Sequence, residues 1–164
     1  MTPERTAEDE TQKAAMERAG RLLATRPRTE SELRRRLSAA GLETGVVDDA
    51  MGRLTQLGLV DDEAFARQWV EERSRKSGKS SRALRSELRS KGVDGDVVEE
   101  AVETCRDGDE RRAEEAAARW VHRVSGLPVA AQAQKIVAML VRRGFDAEVA
   151  RSATRAVLPP EGWE

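Results

Sequence analysis

A ladder of small and apolar residues recurs three times along the chain, and it limits the fold more than any other feature. In the middle copy the rungs are Leu84, Leu88, Gly92, Val93, Val97 and Ala101. Moved back by 51 residues, they become Leu33, Leu37, Gly41, Leu42, Val46 and Ala50. Moved forward by 52, they become Ile136, Leu140, Gly144, Phe145, Val149 and Ala153. Agreement at every rung in both directions marks three copies of one unit, near the length of helical repeats. Within each copy the apolar spacing is that of a helix, and the glycine is placed to stop it.

The punctuation around the ladder divides each copy into three helices. In the first, Ala15, Ala19, Leu22 and Leu23 recur at helical spacing until Pro27 ends the run. Thr29 and Glu32 then fit a capping box that opens the Leu33–Leu37 helix. Gly41 is the expected left-handed stop, and a third helix follows from about Gly45 to Gln56. In the second copy Asp61 or Asp62, then Ser80 or Ser81, then Asp94 are the expected caps. Asp146 is the equivalent cap in the third, and Pro159 and Pro160 close the last helix. The expectation is an all-α fold of three tandem three-helix repeats, forming an elongated, curved array. Its parts are a disordered N-terminal tail over 1–12, repeat 1 over 13–57, repeat 2 over 58–106, repeat 3 over 107–158 and a C-terminal tail over 159–164.

Composition agrees with exposed helices. Charged residues make up 36% of the 164 residues and aromatics only 3%, with no Tyr, which leaves little of the bulk that sheets favour. One cysteine, Cys105, excludes an internal disulfide and suits a reducing cytosol. No apolar run approaches the ~20 residues of a membrane span, and no signal peptide opens the sequence. We expect a cytoplasmic monomer with no contact with membrane.

Catalytic chemistry has little to draw on. Gly78-Lys79-Ser80 resembles the end of a phosphate-binding loop, but such a loop needs a glycine five residues earlier, where Arg73 stands, and a preceding strand. His122 is the sole histidine, and with one cysteine it cannot complete a four-ligand zinc site. The pairs Asp48-Asp49 and Glu99-Glu100 are adjacent on helices, so their side chains diverge and read as solvated charge. Trp69 and Trp120 hold equivalent repeat positions where repeat 1 has Leu22, which predicts core packing rather than base stacking. Phe145 aligns with Leu42 and Val93, and Cys105 with Val157, so both are expected in the core. No catalytic residues, metal ligands or cofactors are expected.

The charge distribution is more informative than the net charge of −1. Arg73, Arg75, Lys76, Lys79, Arg82, Arg85, Arg89 and Lys91 fall within 19 residues that contain one acid, Glu87. At ~100° per residue, with Leu84 at zero, Leu88 falls near 40° and Arg85, Arg89 and Arg82 near 100°, 140° and 160°. These arginines share a face behind the leucines, and a single-sign face of that kind suits a polyanion or an acidic protein. Arg34 and Arg35, with Arg36, hold the corresponding helix of repeat 1.

The run from Gly58 to Ala66, followed by Trp69-Val70, Gly78 and Leu84 to Val93, resembles the central signature of the RecX regulatory proteins. Upstream, Ala24 to Leu33 with Leu37 and Gly41 resembles that family's N-terminal repeat. The resemblance covers Ala14 to Val157. After Gly78 the family often carries a second glycine or a proline and then a β-branched residue, whereas this chain reads Lys79-Ser80-Ser81-Arg82-Ala83. The resemblance implies a non-enzymatic negative regulator of the RecA recombinase. Such a protein occupies the groove of the RecA–single-stranded DNA filament and inhibits filament extension, ATP hydrolysis, strand exchange and the SOS coprotease activity. Direct contact with single- or double-stranded DNA belongs to the same expectation. The alternative is a helix-turn-helix-like DNA-binding regulator, for which base-reading Asn is wholly absent and net charge is not positive.

Overall fold

Glycines and acidic or hydroxyl caps cut the chain where the sequence suggests. The structure is a computed structural model and describes residues 3–158. Among them are nine α-helices and no strand: α1 (Pro3–Thr25), α2 (Glu30–Ser38), α3 (Thr44–Gln56), α4 (Asp62–Ser77), α5 (Ser81–Ser90), α6 (Gly95–Arg106), α7 (Asp109–Val124), α8 (Val129–Arg142) and α9 (Ala147–Val157). Gly41, Gly92 and Gly144 follow α2, α5 and α8, with φ of 84°, 76° and 93°. Each donates its amide to the carbonyl three residues back, on Ser38, Arg89 and Val141, at 2.9–3.0 Å. The three stops are therefore one device used three times.

The ladder is buried alike in each copy, except that Leu42 is half-buried where Val93 and Phe145 are buried. Leu33, Leu37, Leu84, Leu88, Ile136 and Leu140 have no exposed surface, and Ala50, Ala101 and Ala153 are buried. Val46, Val97 and Val149 are each half-buried. Around the first ladder pack Ala19, Val47, Met51, Leu54 and Val60. Around the third pack Ala113, Ala117, Met139, Phe145 and Leu158. Cys105 is buried as expected, and burial raises its thiol pKa.

Two expectations need correction. The segment read as a disordered tail is helical from Pro3 onward, while Met1 and Thr2 lie outside the described residues. Residues 7–11 are exposed, so no burial pattern announces this helix. It continues from the packed part of α1 through good helix formers with no breaker. The C-terminal tail over 159–164 also lies outside the described residues. The second correction concerns the capping box. Thr29 Oγ1 accepts from the Glu32 amide at 3.2 Å, but Glu32 gives its own carboxylate to Arg26 (3.1 Å) and Lys91 (3.0 Å).

The described residues gather into two compact units, and the division runs through the second triplet of helices. One unit holds the described residues through Ala66 with Arg89–Val97; the other holds Arg67–Leu88 and the described residues from Val98. In the first, the turn at Lys91–Gly92 lies on the N-terminus of α2. Thr29 Oγ1 donates to the Lys91 carbonyl at 2.7 Å, and Asp62 Oδ1 accepts the Glu30 amide at 2.9 Å. In the second, the turn at Arg143–Gly144 lies on the N-terminus of α5. Ser80 Oγ donates to the Arg143 carbonyl at 3.3 Å, and Asp109 Oδ1 accepts the Ser81 amide at 2.9 Å. The same joint is thus built twice. It satisfies orphan amides at a helix start with one hydroxyl cap and one acid from the following repeat.

Candidate anion-binding cleft around the Gly78 turn

The turn between α4 and α5 carries the densest positive charge, and its geometry follows from Gly78. Its φ of 54° reverses the chain after Ser77, and Ser80 Oγ then caps α5 by accepting the Ala83 amide at 3.1 Å. Glu87, the one acid in the run, ties the two helices together. It accepts Trp69 Nε1–H from α4 at 2.9 Å, pairs with Lys79, and lies 4.0 Å from Arg73.

Beside this turn is a cleft of about 540 Å³ lined by Arg75, Lys76, Ser77, Lys79, Arg119 and Arg143. A Cβ built on Gly78 would lie 3.4 Å from Arg119 Nη2 and 3.7 Å from Arg143 Nη1, so two guanidinium groups converge on this stretch of backbone. Five of the six lining residues are cationic and none is acidic. Arg75 pairs loosely with Glu71 at 3.8 Å and Lys79 with Glu87. The charges repel one another, and an entering anion relieves that repulsion. Guanidinium groups add forked donors that match phosphate or carboxylate geometry.

Of the candidates named from sequence, Arg75, Lys76 and Lys79 meet in this cleft. Arg73 instead lies with its guanidinium 4.0 Å from the Trp69 ring centroid. Arg82 and Arg89 are exposed on α5, while Arg85 gives its Nε to Glu99 at 2.9 Å, so the helix face is not a row of free cations. Lys91 is engaged with Glu32 and lies near the Phe65 ring. Arg34 pairs with Glu30 at 2.8 Å and with Asp48, which raises its pKa, and Arg35 is exposed.

Arg119 was missed by the charge-run reading because it comes from the third triplet, and Arg143, with Arg142 the third repeat's counterpart of the basic face, was expected to matter less than the run itself. Repeat register held the clue for Arg143, which stands 52 residues after Lys91. Trp69 and Trp120 are both half-buried, and Trp120 packs against the third core, in line with the packing role expected of them. An arginine also lies over each ring, with Arg123 4.9 Å from the Trp120 centroid. An indole needs a partner for its N–H, and Trp69 finds it in the half-buried Glu87. Among the described residues no group of three or more His, Cys, Asp or Glu is placed to hold a metal ion, and no helix is long and apolar enough to cross a membrane.

These features define a class: an all-α repeat protein with a cleft lined by five cations and no acid. Comparison with known proteins narrows the class. Residues 15–54 match the first three-helix domain of RecX and residues 61–102 match the second. A regulatory protein RecX from Mycobacterium ulcerans is 40% identical over 161 residues, covering 97% of this chain and 93% of that protein. One from Thermobifida fusca is 37% identical over 149 residues, covering 88% and 78%. The chain belongs to the RecX family. The crystal structure of RecX from Lactobacillus salivarius has the same fold, with a TM-score of 0.79 at 19% identity over 91% of this chain and 97% of that one.

Proposed function

We propose that this chain is a non-catalytic negative regulator of RecA. It binds in the groove of the RecA–single-stranded DNA filament and inhibits filament extension, ATP hydrolysis, strand exchange and coprotease activity. The observation that carries this reading is the acid-free convergence of Arg75, Lys76, Lys79, Arg119 and Arg143 around Gly78. A nucleoprotein filament offers DNA phosphates and protein carboxylates, the two anions such a cleft accepts. Arg82, exposed at the start of α5, adds to the contact. The regulatory names of the relatives support action through binding. In this reading the chain acts as a cytoplasmic monomer and uses no cofactor.

The helix-turn-helix alternative is less well supported by the geometry. A base-reading unit presents one recognition helix to the major groove. This cleft draws its cations from the end of α4 and the turn after it, from α7 and from the turn after α8, which suits backbone contact rather than base readout.

The test is RecA's DNA-dependent ATP hydrolysis with the purified chain titrated in. Inhibition at substoichiometric chain, with no hydrolysis by the chain alone, is the expected result. Undiminished RecA turnover, or robust nuclease or ATPase activity in the chain itself, contradicts the proposal.

A further inference from the structure

We propose that a second cleft, in the third repeat, docks an acidic peptide segment of a partner protein that carries one apolar anchor side chain. The cleft has a volume of about 590 Å³ and is built from the last turns of α7, the connection to α8, and α8 itself. That lies within the roughly 300–1,000 Å³ of clefts that hold compact ligands. Its apolar lining is formed by Val124, Leu127 and Ala138, and Leu127 is 38% exposed. Trp120 closes one side, with Arg123 over its ring. Lys135 and Arg142 complete the rim, and no lining residue is acidic.

Charge complementarity selects the occupant. Three cations beside aliphatic lining match carboxylates flanking an aliphatic or aromatic side chain. The anchor removes exposed apolar surface from water, and the carboxylates meet Arg123, Lys135 and Arg142. A nucleic acid is matched less well, because base stacking needs an open aromatic platform and the Trp120 ring already carries Arg123. The contrast with the Gly78 cleft is chemical: that cleft is lined by five cations and a serine and has no apolar floor. The adjacent residues Arg142 and Arg143 serve different clefts.

The inference stands apart from the recombinase reading, because its test uses the chain alone. Fluorescence anisotropy of a labelled Asp-Asp-Asp-Leu-Phe peptide measures binding to the purified chain, beside Lys-Lys-Lys-Leu-Phe and Asp-Asp-Asp-Ser-Ser probes. The acidic anchored probe is expected to bind with Kd below about 1 mM, and each control at least about tenfold more weakly. Lys135→Glu combined with Arg142→Glu should lose about tenfold or more, and Leu127→Ser about threefold or more. Arg18→Glu, on the exposed side of α1 and lining neither cleft, should leave this binding unchanged. Circular dichroism establishes that each variant is folded; the changed side chains are exposed or half-buried. No binding, equal binding of the anchorless probe, or displacement by single-stranded oligothymidylate overturns the proposal. So does tighter binding by a chain ending at Leu158, which would make residues 159–164 the occupant.

Discussion

Gly92→Ala tests the joint between the first two repeats through a single added methyl group. The strain has two sources that the structure separates. At φ 76° an L side chain costs about 1–2 kcal/mol. The new Cβ would also fall inside contact distance of Ser31 Oγ and Cβ, and overpacking of this kind costs about 1–3 kcal/mol. The total is about 2–5 kcal/mol, reduced slightly by the stiffer unfolded chain. Gly41→Ala is the internal reference, because φ there is 84° but nothing lies within 4 Å of the added atom. Ser31→Gly supplies the rescue. It removes both clashing atoms and leaves Ser31 Cα at 3.9 Å, an ordinary contact. Alone it should cost up to about 1 kcal/mol in helix propensity. With Gly92→Ala it should return about 1–3 kcal/mol of coupling. Equilibrium urea unfolding followed by far-ultraviolet circular dichroism reads all five proteins. If Gly92→Ala costs no more than Gly41→Ala, or if the double variant is simply additive, the close packing of this turn on α2 is wrong.

Glu32 gives a pH signature. Burial pushes its carboxyl up, but hydrogen bonds from Arg26 and Lys91 outweigh it and hold the pKa below its ordinary 4.5. A depressed carboxyl contributes stability that is fully present above the ordinary value and is lost as pH falls through the folded one. Glu32→Gln should cost about 1–3 kcal/mol at neutral pH and flatten stability against pH in that acid range, read by urea unfolding at several pH values. Trp69→Phe should cost about 1 kcal/mol through the lost bond to Glu87, well below the roughly 2–5 kcal/mol of Leu88→Ala, in the same unfolding assay. Cys105 is 8% exposed and its thiol pKa is raised by burial, so Ellman's reagent should react slowly with the native chain and rapidly in urea.

The repeat ladder was legible because it records burial directly. Leu84 and Leu88 and their counterparts carry helical spacing, and the glycine after them is required by a positive φ that the sequence can signal. Caps were equally readable, since Ser80 and Asp146 accept amides only two or three residues away. The contents of the cleft were not. Charge density located Lys76 and Lys79, but Arg119 reaches Gly78 through tertiary packing across some forty residues of chain, for which no local pattern exists. The alignment of Trp69 and Trp120 with Leu22 was sound, since all three are half-buried, but it gave no sign of the arginine over each indole or of the Trp69 bond to Glu87. Periodicity places a residue on the inner side of a helix without saying how deeply it sinks. The helical start of α1 was hidden in the opposite way, because an exposed helix leaves no apolar stripe.

The cleft around Gly78 is tested most directly by the affinity of this chain for preassembled RecA–single-stranded DNA filaments. Arg119→Glu combined with Arg143→Glu reverses two converging guanidinium groups without touching the buried ladder. At least about a tenfold loss of affinity and a weaker dependence on salt are expected, as contacts to phosphate disappear. A folded double variant that binds filaments as tightly as the unchanged chain, with the same salt dependence, contradicts this role of the cleft.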